Sequence, residues 1–236
     1  MISETMFSTQ YTSFWRIATP GMESLIRRIN SGLYTRDFEP MTIDTPPERR
    51  GIINEIAFRY FCNFVKSTAS SSGESQHNLL HQAKLEIARE TTGLEFDINT
   101  ETNPFEDCDI FEQFNRFRSK FLDNFFISEL VCRPNFKGCG IIDACTGDII
   151  FNSTLVEIKA GDRLFKSADM RQILTYLSLN YAHFSYDINT VGLFNPRVGT
   201  SFLIDCRDLC YQVSGRDVSG LVNQILAAIS SGEISR

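Results

Sequence analysis

Apolar residues recur at three- and four-residue spacing through much of the chain, which is the pattern of helices that bury one face. Between residues 48 and 66, for example, Ile52, Ile56 and Tyr60 fall on one side of a helix. The same pattern predicts the helices 21–29, 48–66, 76–91, 110–124, 167–181 and 216–229.

Short apolar runs between these helices predict strands at 125–132, 140–144, 154–160, 190–195 and 200–206. We expect the first three strands to form an antiparallel meander. The helix 167–181 should then cross over to the strand 190–195 and place it parallel to an earlier strand. The sequence therefore predicts an α/β fold in which helices flank a mixed central sheet. Residues 1–50 are predicted to be a helical N-terminal extension, and residues 51–236 the main domain.

The stretch from residue 138 to 161 combines predicted strands with charged side chains. Because strand residues alternate between two faces, Leu155, Glu157 and Lys159 share one side. Charged groups on a buried face need a partner, since burying an unpaired charge is costly. The candidate partner is Asp143, which lies on the preceding predicted strand. Two neighbouring carboxylates offer the hard oxygen ligands that magnesium or manganese prefers.

These residues resemble a known family. Asp143, thirteen intervening residues and then Glu157-Ile-Lys159 are similar to the metal-binding hairpin of the PD-(D/E)XK nuclease superfamily. Downstream, Gln172 and Tyr176 match the Gln-x-x-x-Tyr pattern of its RecB-like and lambda-exonuclease-like members. The similarity extends over roughly residues 129–205, and Ile142 stands where the family name places a proline.

The resemblance implies a restriction-endonuclease-like core and magnesium- or manganese-dependent hydrolysis of phosphodiester bonds. It assigns the metal to Asp143, Glu157 and the backbone carbonyl of Ile158. Lys159 would assist the attacking water, while Gln172 and Tyr176 would position the substrate strand or the lysine.

Two further acidic residues are candidates for the metal site. In the resembled family a helix before the sheet often carries an acidic ligand, and Glu55 in the helix 48–66 is the candidate for that place. The alternative for Glu55 is an ordinary solvent-facing glutamate. Glu129, on the first predicted strand, is a second candidate.

The resemblance favours DNA as the substrate and a role as the nuclease subunit of a larger complex, such as one that defends against phage. An RNA-directed nuclease is an alternative, because the attacked bond is alike. A catalytically silent scaffold or interaction subunit is another. The intact set of Asp143, Glu157 and Lys159 disfavours the scaffold, which has no need to hold like charges together.

Composition narrows the choice of partners and compartment. A formal net charge of −6 is unusual for a protein that binds nucleic acid, since phosphate contacts need Lys and Arg. We therefore expect a homo-oligomer or a partner subunit to help deliver the DNA. Seven cysteines without a paired framework, no apolar run of about 18 residues and no secretory signal predict a cytoplasmic protein with no membrane contact.

Overall fold

A computed structural model of the protein describes residues 1–42, 45–70, 74–91, 100–123 and 129–232. Part of the predicted strand 125–132 lies outside these residues. The described helices are α1 (Glu4–Gln10), α2 (Thr12–Ala18), α3 (Met22–Asn30), α4 (Pro47–Ser70), α5 (Gln76–Thr91), α6 (Pro104–Arg118), α7 (Ser167–His183), α8 (Cys206–Ser214) and α9 (Val218–Ser231). A π-helical turn, Ser119–Asp123, continues α6.

The described strands are β1 (Thr35–Arg36), β2 (Leu130–Cys132), β3 (Asn135–Phe136), β4 (Cys145–Thr146), β5 (Ile149–Phe151), β6 (Thr154–Ile158), β7 (Thr190–Asn195) and β8 (Thr200–Asp205). They build a mixed sheet in the order β1-β8-β7-β6-β5-β2, beside a small β3-β4 ribbon. Here β6 and β7 run parallel, and the other pairs in the large sheet are antiparallel. The helix α7 makes the crossover between the parallel strands, as the sequence predicts.

Helices pack on both faces of the sheet, which confirms the predicted α/β class. On one face, Val156 of β6 and Phe194 of β7 join an aromatic-rich cluster with α4, α5 and α6. On the other, Leu155 belongs to the cluster of α1–α3 and α7–α9. The alternation of β6 thus divides its residues between two cores. In the described part of the chain, no helix combines the length and apolar character needed to cross a membrane.

The N-terminal helices are part of the second core. Phe7 of α1 and Trp15 of α2 are completely buried, and the Trp15 indole donates a hydrogen bond to the Phe7 carbonyl at 2.9 Å. Both residues lie in the same apolar cluster as Leu174 of α7. These helices of the predicted extension therefore support α7, the helix that carries Gln172 and Tyr176.

The predicted strand 140–144 is wrong, because this stretch is a loop held against the two ends of the chain. The Ile141 amide donates to the Ile229 carbonyl at 2.9 Å, and the Ile2 amide donates to the Ile141 carbonyl at 2.8 Å. Gly140 takes the left-handed conformation, with φ +56°, that lets the loop approach α9. The apolar pattern arises partly from burial of Ile142 in the core, and β5 supplies the strand beside β6 instead.

The hairpin that contains Glu157 turns later than expected. The predicted strands 140–144 and 154–160 leave residues 145–153 as their connection, but β5 and β6 are joined by Asn152 and Ser153 alone, with φ +41° and +62°. A two-residue hairpin turn of this type requires positive φ at both positions, which asparagine tolerates better than most residues. Asp148 therefore immediately precedes a strand paired with β6.

Candidate functional site

The site is built around the end of β6, where Glu157 and Lys159 lie close together. Glu157 is only 4% exposed, because β6 is an interior strand with a neighbour on each side and α7 over this face. Lys159 follows the last residue of β6. Its ammonium nitrogen Nζ lies 2.7 Å from Glu157 Oε1 and 2.8 Å from Gln172 Oε1. The strand end and the first turns of α7 thus hold the lysine from two sides.

Gln172 is oriented in turn by Tyr176, one helical turn further along α7. The Gln172 amide nitrogen donates to the Tyr176 hydroxyl at 2.8 Å, so its carbonyl oxygen is left to accept from Lys159. Tyr176 is itself fixed by stacking on Phe136, with ring centroids 5.2 Å apart. The structure therefore brings together Glu157, Lys159, Gln172 and Tyr176, four of the residues selected from the sequence.

The carboxylate beside Glu157 is Asp148, whereas the sequence pointed to Asp143. Asp148 Oδ2 accepts a hydrogen bond from the Ile158 amide at 2.6 Å, which fixes the side chain against the end of β6. Asp143 lies in the loop held by the chain ends, where its amide donates to the Ile2 carbonyl at 3.0 Å. The prediction that Asp143 lies beside Glu157 depended on a strand at 140–144. Because β5 pairs with β6 instead, the aspartate beside Glu157 is Asp148.

The electrostatics of the pair follow from burial of like charges. Burial raises the pKa of Asp148 well above its ordinary value, and the negative charge of Glu157 raises it further. Burial also raises the pKa of Glu157, against the opposing charge of Lys159. Burial alone would lower the pKa of Lys159, but the adjacent Glu157 outweighs it, so that the lysine stays an ammonium group. One cation thus serves two crowded carboxyl groups.

The oxygen atoms at this place suit a divalent cation. Glu157 Oε2 is buried, and no hydrogen-bond donor reaches it from the described residues. A cleft of about 240 Å³ is lined by Asp148, Ile158 and Lys159. Within the described ranges no set of three or more His, Cys, Asp or Glu side chains forms a metal site. A magnesium or manganese ion here would therefore take Asp148, Glu157 and the predicted Ile158 backbone carbonyl.

Glu55 of α4 lines the same cleft, and its charge contributes to the raised pKa of Asp148. Its carboxylate is already engaged, because Arg59 Nε donates to Glu55 Oε1 at 2.6 Å. Glu55 is thus next to the site but paired with an arginine. Glu129 is exposed and lies beyond the far end of β5 from Asp148, with its backbone carbonyl accepting from Asn152.

The loop after Lys159 is held by two asparagines that the sequence analysis did not single out. Asn54 of α4 donates to the Ala160 carbonyl at 2.6 Å, and Asn195 of β7 donates to the Gly161 carbonyl at 2.7 Å. No spacing in the sequence signals these contacts, since each joins distant elements. The position of Asp148 could have been found from the sequence, because Asn152-Ser153 is a plausible two-residue turn between two apolar runs, and Asp148 directly precedes the first of them.

Comparison with models of protein families gives no match for this chain, and a search of curated proteins gives none either. The basis for assigning a function is therefore the arrangement of Asp148, Glu157, Lys159, Gln172 and Tyr176.

Proposed function

We propose that the protein is a metal-dependent nuclease that hydrolyses phosphodiester bonds of DNA. The observation that carries the proposal is the pair Asp148 and Glu157, two carboxyl groups crowded together with one oxygen unpartnered among the described residues. Two carboxylates 4 Å apart repel by about 1–4 kcal/mol at effective dielectric constants of 80 to 20. A scaffold gains nothing from two neighbouring carboxylates, whereas a site for a divalent cation needs them as ligands.

The polar residues around the pair have separable tasks. Asp148, Glu157 and the Ile158 carbonyl would hold the ion, which when bound lowers the pKa of a water and polarises the phosphate. Lys159 has three N–H donors, of which Glu157 and Gln172 take two. The third is available in the cleft for the attacking water or for the charge that develops on the phosphate.

The topology around these residues supports the restriction-endonuclease-like identity. Asp148, eight intervening residues and Glu157-Ile-Lys159 occupy an antiparallel hairpin, and α7 then crosses over to a parallel strand. Gln172 and Tyr176 lie on that crossover helix, where Gln172 contacts Lys159 and Tyr176 contacts Gln172. This is the order of elements that the resemblance to the PD-(D/E)XK superfamily implies, with Asp148 in the position first given to Asp143.

The test compares two aspartates that differ in place but not in chemistry. Wild type, Asp148→Asn and Asp143→Asn are incubated with supercoiled plasmid, linear duplex, single-stranded DNA and RNA, with magnesium or with a chelator. We expect magnesium-dependent cleavage of DNA that Asp148→Asn lowers by about 100- to 1000-fold. Asp143→Asn should stay within about threefold of wild type, since surface and loop changes usually have small effects.

Magnesium binding gives a readout that does not depend on turnover. Magnesium should raise the thermal midpoint of wild type and of Lys159→Ala, but not that of Asp148→Asn, because a ligand stabilises only the state that binds it. Lys159→Ala should still lose most cleavage, since the ammonium acts on charge in the transition state. Full activity in Asp148→Asn, or cleavage of RNA alone, would overturn the assignment as a DNA nuclease at this site.

A further inference from the structure

A second polar pocket lies one residue along α7 from Gln172. It has a volume of about 310 Å³ and is bounded by α2, the start of α3 and α7. Two arginines, Arg16 and Arg171, line it together with the hydroxyl-bearing residues Thr12 and Ser13, and among the described residues Glu23 is its one acidic lining side chain. We call it the Arg171 pocket. Its balance of charge is positive although the whole chain carries −6.

Arg171 is held there with few of its hydrogen bonds made. Its side chain is 12% exposed, yet its single ion pair within the described residues is to Glu23 Oε1, at 3.3 Å. The Glu23 side chain is 69% exposed, so water weakens that attraction. Arg171 Nε is buried and has no partner in the described part of the chain.

A guanidinium has five N–H donors, and leaving them desolvated costs free energy. Burial correspondingly lowers the pKa of Arg171, and the charge of Glu23 offsets this only in part. An anion that enters the pocket would supply the missing acceptors. The planar fork of arginine matches the oxygen atoms of phosphate, and hydroxyl groups add neutral donors.

The position of the pocket indicates which phosphate it would meet. The α-carbons of consecutive residues are about 3.8 Å apart, so the backbone of Arg171 adjoins that of Gln172. The Gln172 side chain in turn contacts Lys159. The helix α1, which ends just before α2, places Glu4 Oε1 3.5 Å from the Gln172 amide nitrogen. Phosphates follow one another along a DNA strand at about 3.4 Å of axial rise. The Arg171 pocket therefore lies within a few nucleotides of the proposed site of cleavage.

We propose that the Arg171 pocket binds a backbone phosphate of the substrate strand, a few nucleotides from the bond that is cut. The inference rests on the proposed nuclease function for its ligand. Arg171 supplies the charge-assisted hydrogen bonds, and Arg16 at the rim adds attraction that salt screens. Glu23 competes with the phosphate for Arg171, so strand binding displaces the Arg171–Glu23 contact.

The experiment measures binding of a fluorescent single-stranded oligonucleotide in the presence of a chelator, so that cleavage does not intervene. We expect Arg171→Gln to weaken binding by about tenfold, the loss typical of one hydrogen bond to a charged group. The slope of log affinity against log salt should fall by about 0.7, which corresponds to one phosphate contact on a single strand. Arg207→Gln is the matched control, because that side chain is 86% exposed at the start of α8 and outside the pocket.

A second variant changes the affinity in the opposite direction. Glu23→Gln removes the competing carboxylate and should tighten oligonucleotide binding severalfold, which also tests the pocket if Arg171→Gln fails to fold. Inorganic phosphate is titrated in parallel as a probe of free phosphate. Equal binding by wild type and Arg171→Gln, no response to Glu23→Gln, or loss of inorganic phosphate binding alone would overturn the proposal. If the wild-type protein cleaves no DNA in the magnesium assay but Arg171→Gln and Glu23→Gln still change oligonucleotide binding, the proposed nuclease function is wrong and the proposed phosphate contact is supported.

Discussion

Two buried charged clusters lie at the ends of neighbouring strands, and they differ in the signs of their charges. Beside the turn that follows β7, Arg197 and Asp109 form an ion pair of 2.7 Å in which each side chain is 1% exposed. At the end of β6, Asp148 and Glu157 bring together two groups of the same sign. Asp148 is partly buried and lines the cleft, whereas Arg197 and Asp109 are sealed from water, and only the Arg197–Asp109 cluster contains its own counter-charge in equal number.

The Arg197–Asp109 cluster is also cross-linked by neutral side chains. Thr45 donates to Asp109 at 2.7 Å, and Gln113 donates to Asp109 at 2.8 Å. Arg197 Nε donates to Asn54 Oδ1 at 2.6 Å. These bonds tie α4, α6 and the β7–β8 turn together, so the cluster serves the fold. The difference teaches that a buried charge is a sign of function when the surrounding protein leaves it uncompensated.

Asn54 connects the two clusters. Its carbonyl oxygen accepts from Arg197 and Gln113, while its amide nitrogen donates to the carbonyl of Ala160, the residue after Lys159. The Arg197–Asp109 cluster is thereby linked to the loop that follows Lys159.

The largest effect is expected from a substitution that breaks the Arg197–Asp109 cluster. Arg197→Met leaves Asp109 buried without its counter-charge and should lower the free energy of unfolding by about 3–5 kcal/mol. Glu157→Gln should cause no comparable loss, because it removes one of two repelling charges. Urea unfolding of both variants measures the contrast. Arg207→Met controls for loss of an arginine at the surface, and a loss below about 1 kcal/mol in Arg197→Met would contradict the distinction between the clusters.

An intermediate effect concerns pH. Without metal, the raised pKa of Asp148 means that the folded protein keeps a proton that the unfolded chain loses above about pH 3.9. Asp148 should therefore make the free energy of unfolding fall as pH rises, by up to about 1.4 kcal/mol per pH unit, until pH passes the raised pKa. Unfolding at a series of pH values, with chelator, should show a steeper fall in wild type than in Asp148→Asn, in which only the raised pKa of Glu157 still contributes.

Asp143→Asn is the control for that measurement and should retain the wild-type slope. Saturating magnesium should also oppose the fall, since the ion binds the deprotonated carboxylates. An identical pH dependence in wild type and Asp148→Asn would show that the folded protein does not raise the pKa of Asp148.

The smallest effect tests the link between the clusters. Asn54→Ala removes the donor to the Ala160 carbonyl, and a hydrogen bond of this kind contributes about 1 kcal/mol. We expect kcat to fall about fivefold with KM little changed, because the lysine is held less well in the transition state. Gln113→Ala is the matched control, since it loses bonds to Asn54 and Asp109 without touching Ala160. Equal kcat values in the two variants would mean that Asn54 only stabilises the fold.

Local periodicity explains which parts of the fold and of the candidate site could be predicted from the sequence. The alternation of β6 puts Glu157 and Lys159 on one face, and the four-residue spacing of Gln172 and Tyr176 puts them on one side of α7. Strand, helix and strand in succession favour a parallel pair, because parallel strands need a crossover connection that is usually a helix. The α/β class therefore followed from the pattern of the sequence, whereas the expectation that these four side chains meet came from the resemblance to a known family.

The choice between Asp143 and Asp148 was decided by tertiary structure. Both residues adjoin apolar runs, so hydrophobic pattern alone does not distinguish a strand from a buried loop. The loop conformation of 140–144 depends on backbone hydrogen bonds to Ile2 and Ile229, near opposite ends of the chain. The pocket around Arg171 and the link through Asn54 likewise join elements that are distant in sequence. Such contacts form only when the chain has folded, because no local rule relates residues so far apart in the sequence.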